Sequence, residues 1–168
     1  MRAACVLVLA LAACAPTGQP TPINSPVFAT RGPLPGQPGY LETIKFIDDG
    51  LRYVDPWSQF FVSPAGEMCF HTGPSAPRVN NAFYRDWCIP PPFVDRVSVI
   101  ENFGGGPHGV ELWCMRAYPQ CAHSPETGYI ANRIYATTLD YRQERAALQN
   151  LVYMMGGSVK FSPPRSGE

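Results

Sequence analysis

Apolar residues recur at helical spacing near the two ends of the chain's central region, and alternate in between. Tyr40, Ile44, Ile47, Leu51 and Val54 form one stripe over nearly four turns, which predicts a helix from Tyr40 to Val54. Gly39 serves as its cap, and Glu42 falls in the first turn, where a negative charge meets the unpaired amides of the helix start. Pro56 stops the helix, because the residue before a proline is pushed out of helical conformation. Gly50 lies inside it and costs up to about 1 kcal/mol relative to alanine. Asp48 and Asp49 fall mostly off the stripe and read as solvated carboxylates.

Beyond Pro56 the pattern becomes that of strands. Gln59 to Ser63 and Glu67 to His71 flank the turn Pro64-Ala65-Gly66, a hairpin signature. Thr72 to Asn81 reads as a loop and Ala82 to Cys88 as a short strand. Pro90-Pro91-Pro92 excludes a central strand at that point. Val94 to Phe103 and Val110 to Arg116 are the clearest strands, joined by the glycine-rich loop Gly104 to Gly109. In the second, Val110, Leu112 and Cys114 share one face, with Glu111, Trp113 and Met115 on the other. A loop from Ala117 to Gly128 and a strand from Tyr129 to Ala136 follow. The last element is a helix from Thr138 to Met155, with Thr137 and Asp140 as a capping box and Gly156-Gly157 as its stop. Tyr141, Leu148, Leu151, Val152 and Met155 share its apolar face. The expected class is α+β: an antiparallel sheet or partial barrel of about six strands, flanked by the N-terminal helix and packed by the amphipathic C-terminal helix.

The chain's start carries a different signal. Arg2 precedes the unbroken apolar run Ala3 to Leu11, and small residues follow, the layout of a secretory signal. The run is far short of the roughly 20 residues that span a bilayer. Leu11-Ala12-Ala13-Cys14 resembles the lipobox of bacterial lipoproteins. The resemblance implies that the Cys14 thiol receives a diacylglyceryl group, that cleavage occurs just before it, and that the new amino terminus is acylated. Ala15, in place of an aspartate, implies sorting to the outer membrane. The alternative is ordinary secretory cleavage after Ala13-Cys14-Ala15, which leaves Pro16 first, a poor context.

Residues 15–39 are dominated by proline and glycine with almost no charge, a composition that disfavours a packed core. As polyproline II at about 3.1 Å per residue, such a tether reaches on the order of 75 Å. The expected organisation is a signal over 1–13, lipidated Cys14 and tether over 14–39, one domain over 40–161, and a tail over 162–168.

Charge narrows the partners. The chain has 13 basic and 13 acidic side chains, and no basic run, which argues against nucleic acid. Membrane association is expected through the lipid on Cys14.

Cysteine usage follows from the compartment. Cys5 leaves with the signal and Cys14 carries lipid, so Cys69, Cys88, Cys114 and Cys121 remain. In an exported domain these four suggest two disulfides, with three connectivities open. The simplest joins Cys69 to Cys88 and Cys114 to Cys121. A four-cysteine zinc site is the rival, but its ligands usually come in closer pairs. No metal and no other cofactor is expected.

Catalytic chemistry is weakly signalled. Gly104, Gly106 and Gly109 match a nucleotide-binding fingerprint, yet a strand follows where that motif needs a helix. His71, His108 and His123 sit in no metalloprotease motif, and no catalytic residue is assigned. His108 with Glu111, or His123 with Glu126, would have to converge for acid–base work. Trp87 and Phe83, beside polar Asn80, Asn81 and Asp86, are expected to be partly exposed and, with His108, to form an interaction surface. The reading is a non-enzymatic, lipid-anchored accessory or structural component that binds another envelope protein. The alternatives are an inhibitor or small-ligand binder and, third, a lipid-anchored hydrolase.

Overall fold

A computed structural model describes residues 27–72, 86–100, 108–138 and 140–158. Helix α1 spans Tyr40–Val54 and helix α2 spans Tyr141–Met154. Among the described residues, eight strands run between them: β1 Gln59–Val62, β2 Met68–His71, β3 Asp86–Ile89, β4 Val94–Ile100, β5 Gly109–Cys114, β6 Ala122–His123, β7 Ile130–Ala131 and β8 Arg133–Thr137. The α+β class, the antiparallel pairing and the two terminal helices are as expected. Instead of about six strands in one sheet there are eight in two, ordered β1-β2-β3-β6-β7 and β4-β5-β8. The proline run accounts for the break. Pro90 caps a short 3-10 turn, Pro91–Phe93, and prolines have no amide hydrogen with which to continue a ladder. The chain therefore leaves the first sheet at Ile89 and enters the second at Val94.

Both sheets bury one face against the helices. Phe60, Val62, Met68, Phe70, Trp87 and Ile89 line the inner face of the five-stranded sheet. Val97, Val110, Leu112 and Ile134 do so for the three-stranded sheet. Ile44, Ile47 and Leu51 of α1 meet Leu148, Leu151 and Val152 of α2 in the same core. Each such side chain contributes roughly 1.5–3 kcal/mol by leaving water.

The helices depart from expectation in two places. Asp48 is buried rather than solvated: its carboxylate accepts the Phe60 amide at 2.8 Å and Arg52 Nε at 2.7 Å, tying α1 to β1. Asp49 does face solvent, paired with Lys45 at 2.5 Å. The cap of α2 is Asp140, which accepts the Gln143 amide at 3.1 Å, while Thr137 belongs to β8.

The disulfides follow the simplest pairing. Cys69 and Cys88 are register partners on β2 and β3, with Cα atoms 4.1 Å apart. Cys114 and Cys121 close the loop after β5. With all four sulfurs so engaged, the four-cysteine zinc site is not formed.

The expected tether is bound to the domain from its second half onward. The amides of Thr30 and Arg31 donate to the Met154 carbonyl at 2.7 and 3.1 Å. Asn150 accepts from the Leu34 amide at 2.9 Å and donates to the Pro38 carbonyl at 3.0 Å and Thr43 Oγ1 at 3.1 Å. The Arg31 guanidinium lies over the Tyr153 ring. Extended backbone without a sheet still needs partners for its polar groups, and α2's C-terminal carbonyls and Asn150 supply them. Residues 15–26, the signal, and the tail from 159 onward lie outside the described residues.

Candidate binding surface

Strand β5 alternates as its sequence implies. Val110 and Leu112 point into the core, leaving Glu111 and Trp113 on the outer face of the three-stranded sheet. The register of β4 shifts between Val94 and Arg96, so that Asp95 is the extra residue of a bulge. Without it Arg96 would oppose Leu112. With it Arg96 opposes Trp113 and Ser98 opposes Glu111. On the other side of β5, Arg133 opposes Trp113 and Tyr135 opposes Glu111. Two rows result: Arg96–Trp113–Arg133 and Ser98–Glu111–Tyr135.

Within the first row the indole is flanked by two cations. The guanidinium carbon of Arg96 is 4.7 Å from the ring centroid and that of Arg133 is 4.6 Å, from strands on opposite sides. Each contact contributes about 0.5–1 kcal/mol at a partly exposed site. The second row anchors the first. Trp113 Nε1 donates to Glu111 Oε2 at 2.9 Å and to Ser98 Oγ at 3.0 Å, and Arg133 Nη1 pairs with Glu111 Oε1 at 2.9 Å. Glu111 is only 6% exposed, so its carboxylate is satisfied within the cluster and is no free base. Tyr135 closes the row over Gly109, where an added Cβ would stand 2.5 Å from the phenol ring. Burial pushes the Tyr135 hydroxyl's pKa up; a hydrogen bond with Thr137 opposes this and the charge of Glu111 adds to it.

The arrangement suits recognition of an anion. Arg133 is neutralised by Glu111, but Arg96 is exposed and makes no hydrogen bond or ion pair among the described residues. Its guanidinium is held against the indole with donors left for a partner. No nucleophile activated by a neighbouring base belongs to the cluster.

The residues expected from sequence lie elsewhere. Trp87 is 5% exposed and belongs to the core, not to a surface. It opposes Phe70 on the inward face of β3, and Tyr129 packs edge-on against it with ring centroids 6.2 Å apart. Polar neighbours in sequence were a poor guide, because alternation along β3 turns Trp87 inward while Asp86 stays half-buried. Phe83 and Cys14 lie outside the described residues. His108 is half-buried, with its ring 5.0 Å from that of Tyr141 and its carbonyl accepting the Thr138 amide at 3.1 Å.

The acid–base pairs that the hydrolase alternative would need are not formed among the described residues. Glu111 is held by Arg133 and Trp113, and His123 Nε2 lies 3.6 Å from Glu67 Oε2 rather than near Glu126. His71 pairs with Asp86, its register partner across β2 and β3. Glu111 and His123 stand on different sheets. The row carrying Arg96 and Arg133 was missed from sequence because the residues are far apart along the chain. The available signal was Trp113, an aromatic on the polar face of an alternating strand.

No family model, no curated protein and no solved structure matches this chain.

Proposed function

We propose that this chain is a lipid-anchored cell-envelope protein that acts by binding another envelope protein. The observation that carries the reading is the sequence Leu11-Ala12-Ala13-Cys14 directly after an apolar run. A diacylglyceryl group with an added acyl chain gives stable anchoring, since one chain alone is marginal and each buried CH₂ adds about 0.8 kcal/mol. The proline-rich sequence over 15–26 suits a spacer between Cys14 and the domain. The outward face of the three-stranded sheet supports the binding half of the reading. Arg, Trp and Tyr dominate interface energetics, and here Arg96, Trp113 and Tyr135 share one face with little side-chain freedom left to lose.

The test is chemical cross-linking in intact cells that make the protein, followed by purification through a C-terminal tag. A Cys14→Ser chain is the control for membrane association. The reading expects one defined protein in stoichiometric yield with the natural chain, and less of it with the control. A chain recovered alone at the membrane removes the basis for the reading.

A further inference from the structure

We propose that Arg96, held over Trp113, is the anchor for a carboxylate of a protein partner, an aspartate or glutamate side chain on an exposed segment. The inference rests on the proposed function and specifies the chemistry of its partner.

Three observations point to a carboxylate. First, the guanidinium is pre-positioned: its carbon lies over the indole, 4.7 Å from the ring centroid, and the indole is itself fixed by Ser98 and Glu111. A guanidinium's planar fork matches the two oxygens of a carboxylate, and a side chain already placed loses less entropy on binding. Second, Arg96 keeps free donors among the described residues. Glu111 is spent on Arg133 at 2.9 Å, and Arg96 is exposed without a partner among the described residues. Third, the surroundings would strengthen the contact. Half-buried Trp113 and Tyr135 border the site, so a partner docking there would exclude water from the ion pair.

The same charge argues against a phosphate-bearing membrane surface as the occupant. Anionic lipid surfaces are met by clusters of about four to eight basic residues. Here a single guanidinium without a partner among the described residues stands beside a buried carboxylate. A single acidic side chain on a protein is the occupant that balances it.

The test places a photo-crosslinking phenylalanine derivative at Ile100, four residues along β4 from Arg96 on the same outer face and outside the hydrogen-bonded rows. A second version carries it at Tyr53, which is 77% exposed on α1. The full-length lipidated chain is irradiated in intact cells and the adducts are sequenced. The expected result is a protein adduct from Ile100 but not Tyr53, mapping to a segment with an aspartate or glutamate. Arg96→Gln lowers its yield roughly tenfold and Arg96→Glu lowers it further, as loss of a charge-assisted contact requires. Changing the partner's acidic residue to arginine restores the adduct with Arg96→Glu. Circular dichroism of both variants should match the natural chain, since Arg96 is exposed. A protein partner that is captured by tag but insensitive to Arg96 overturns this inference and leaves the proposed function standing. Adducts to phospholipid or lipopolysaccharide from Ile100 also overturn it. Absence of any protein adduct together with absence of a co-purifying partner overturns both.

Discussion

Replacing Glu144 with glutamine is expected to remove a large pH dependence of stability. Glu144 sits in the first turn of α2, 1% exposed, and its Oε1 is buried without a hydrogen-bond partner among the described residues. Its Oε2 occupies the space left by Gly50 of α1, where an added Cβ would be 2.7 Å away. Burial, and then the nearby charge of Asp140, push its pKa up from 4.5 to about 8. The folded chain therefore keeps a proton that the unfolded chain releases. Stability is full below the unfolded pKa and falls as pH rises toward the folded one, at about 1.4 kcal/mol per pH unit. Between about pH 5 and pH 8 the loss amounts to roughly 3 kcal/mol, a large part of a typical domain's 5–15 kcal/mol. Glutamine stays neutral throughout. In urea unfolding of the oxidised chain, the Glu144→Gln variant should match the natural protein near pH 5. It should exceed it by about 3 kcal/mol near pH 8. Parallel pH profiles for the two chains would refute the reasoning, because they would mean that the carboxyl ionises as freely folded as unfolded.

Other substitutions test separate parts of the account. Asp48→Ala leaves the buried Phe60 amide and Arg52 without their acceptor and should cost about 1–3 kcal/mol in urea unfolding; Asp49→Ala, breaking an exposed pair, should cost under about 0.5 kcal/mol. Gly109→Ala should force Tyr135 off β5 at a cost of about 1–3 kcal/mol, recovered in a double-mutant cycle with Tyr135→Ala. Removing the Cys69–Cys88 disulfide, 19 residues apart, should destabilise by about 3 kcal/mol, slightly more than removing Cys114–Cys121, 7 apart. Asn150→Ala should free the segment over 30–38, so that trypsin cleaves after Arg31 faster than in the natural chain.

What the sequence made legible was what local chemistry decides. Periodicity placed both helices within a few residues, since the stripe from Tyr40 to Leu51 and the one from Leu148 to Val152 are buried as a face must be. Cysteine spacing pointed to the two pairings formed. Two kinds of information were missing. Polarity alone misjudged Asp48, whose burial depends on the β1 amide it meets across a loop, and Trp87, whose direction depends on the phase of β3. The sheet's outer rows depended on register. Nothing local to Arg96 or Arg133 indicates that a bulge at Asp95 will set both beside Trp113. The proline- and glycine-rich lead resembled a free tether because its binding uses backbone groups, one distant asparagine and the short apolar pair Phe28-Ala29 rather than a periodic apolar stripe.

Everything proposed about function depends on lipid at Cys14, and mass spectrometry of the intact chain extracted from membranes tests that directly. The account predicts a mature protein that begins at Cys14 and carries a diacylglyceryl group with a further acyl chain, both lost in Cys14→Ser. A soluble chain beginning at Pro16 with no added mass would contradict it.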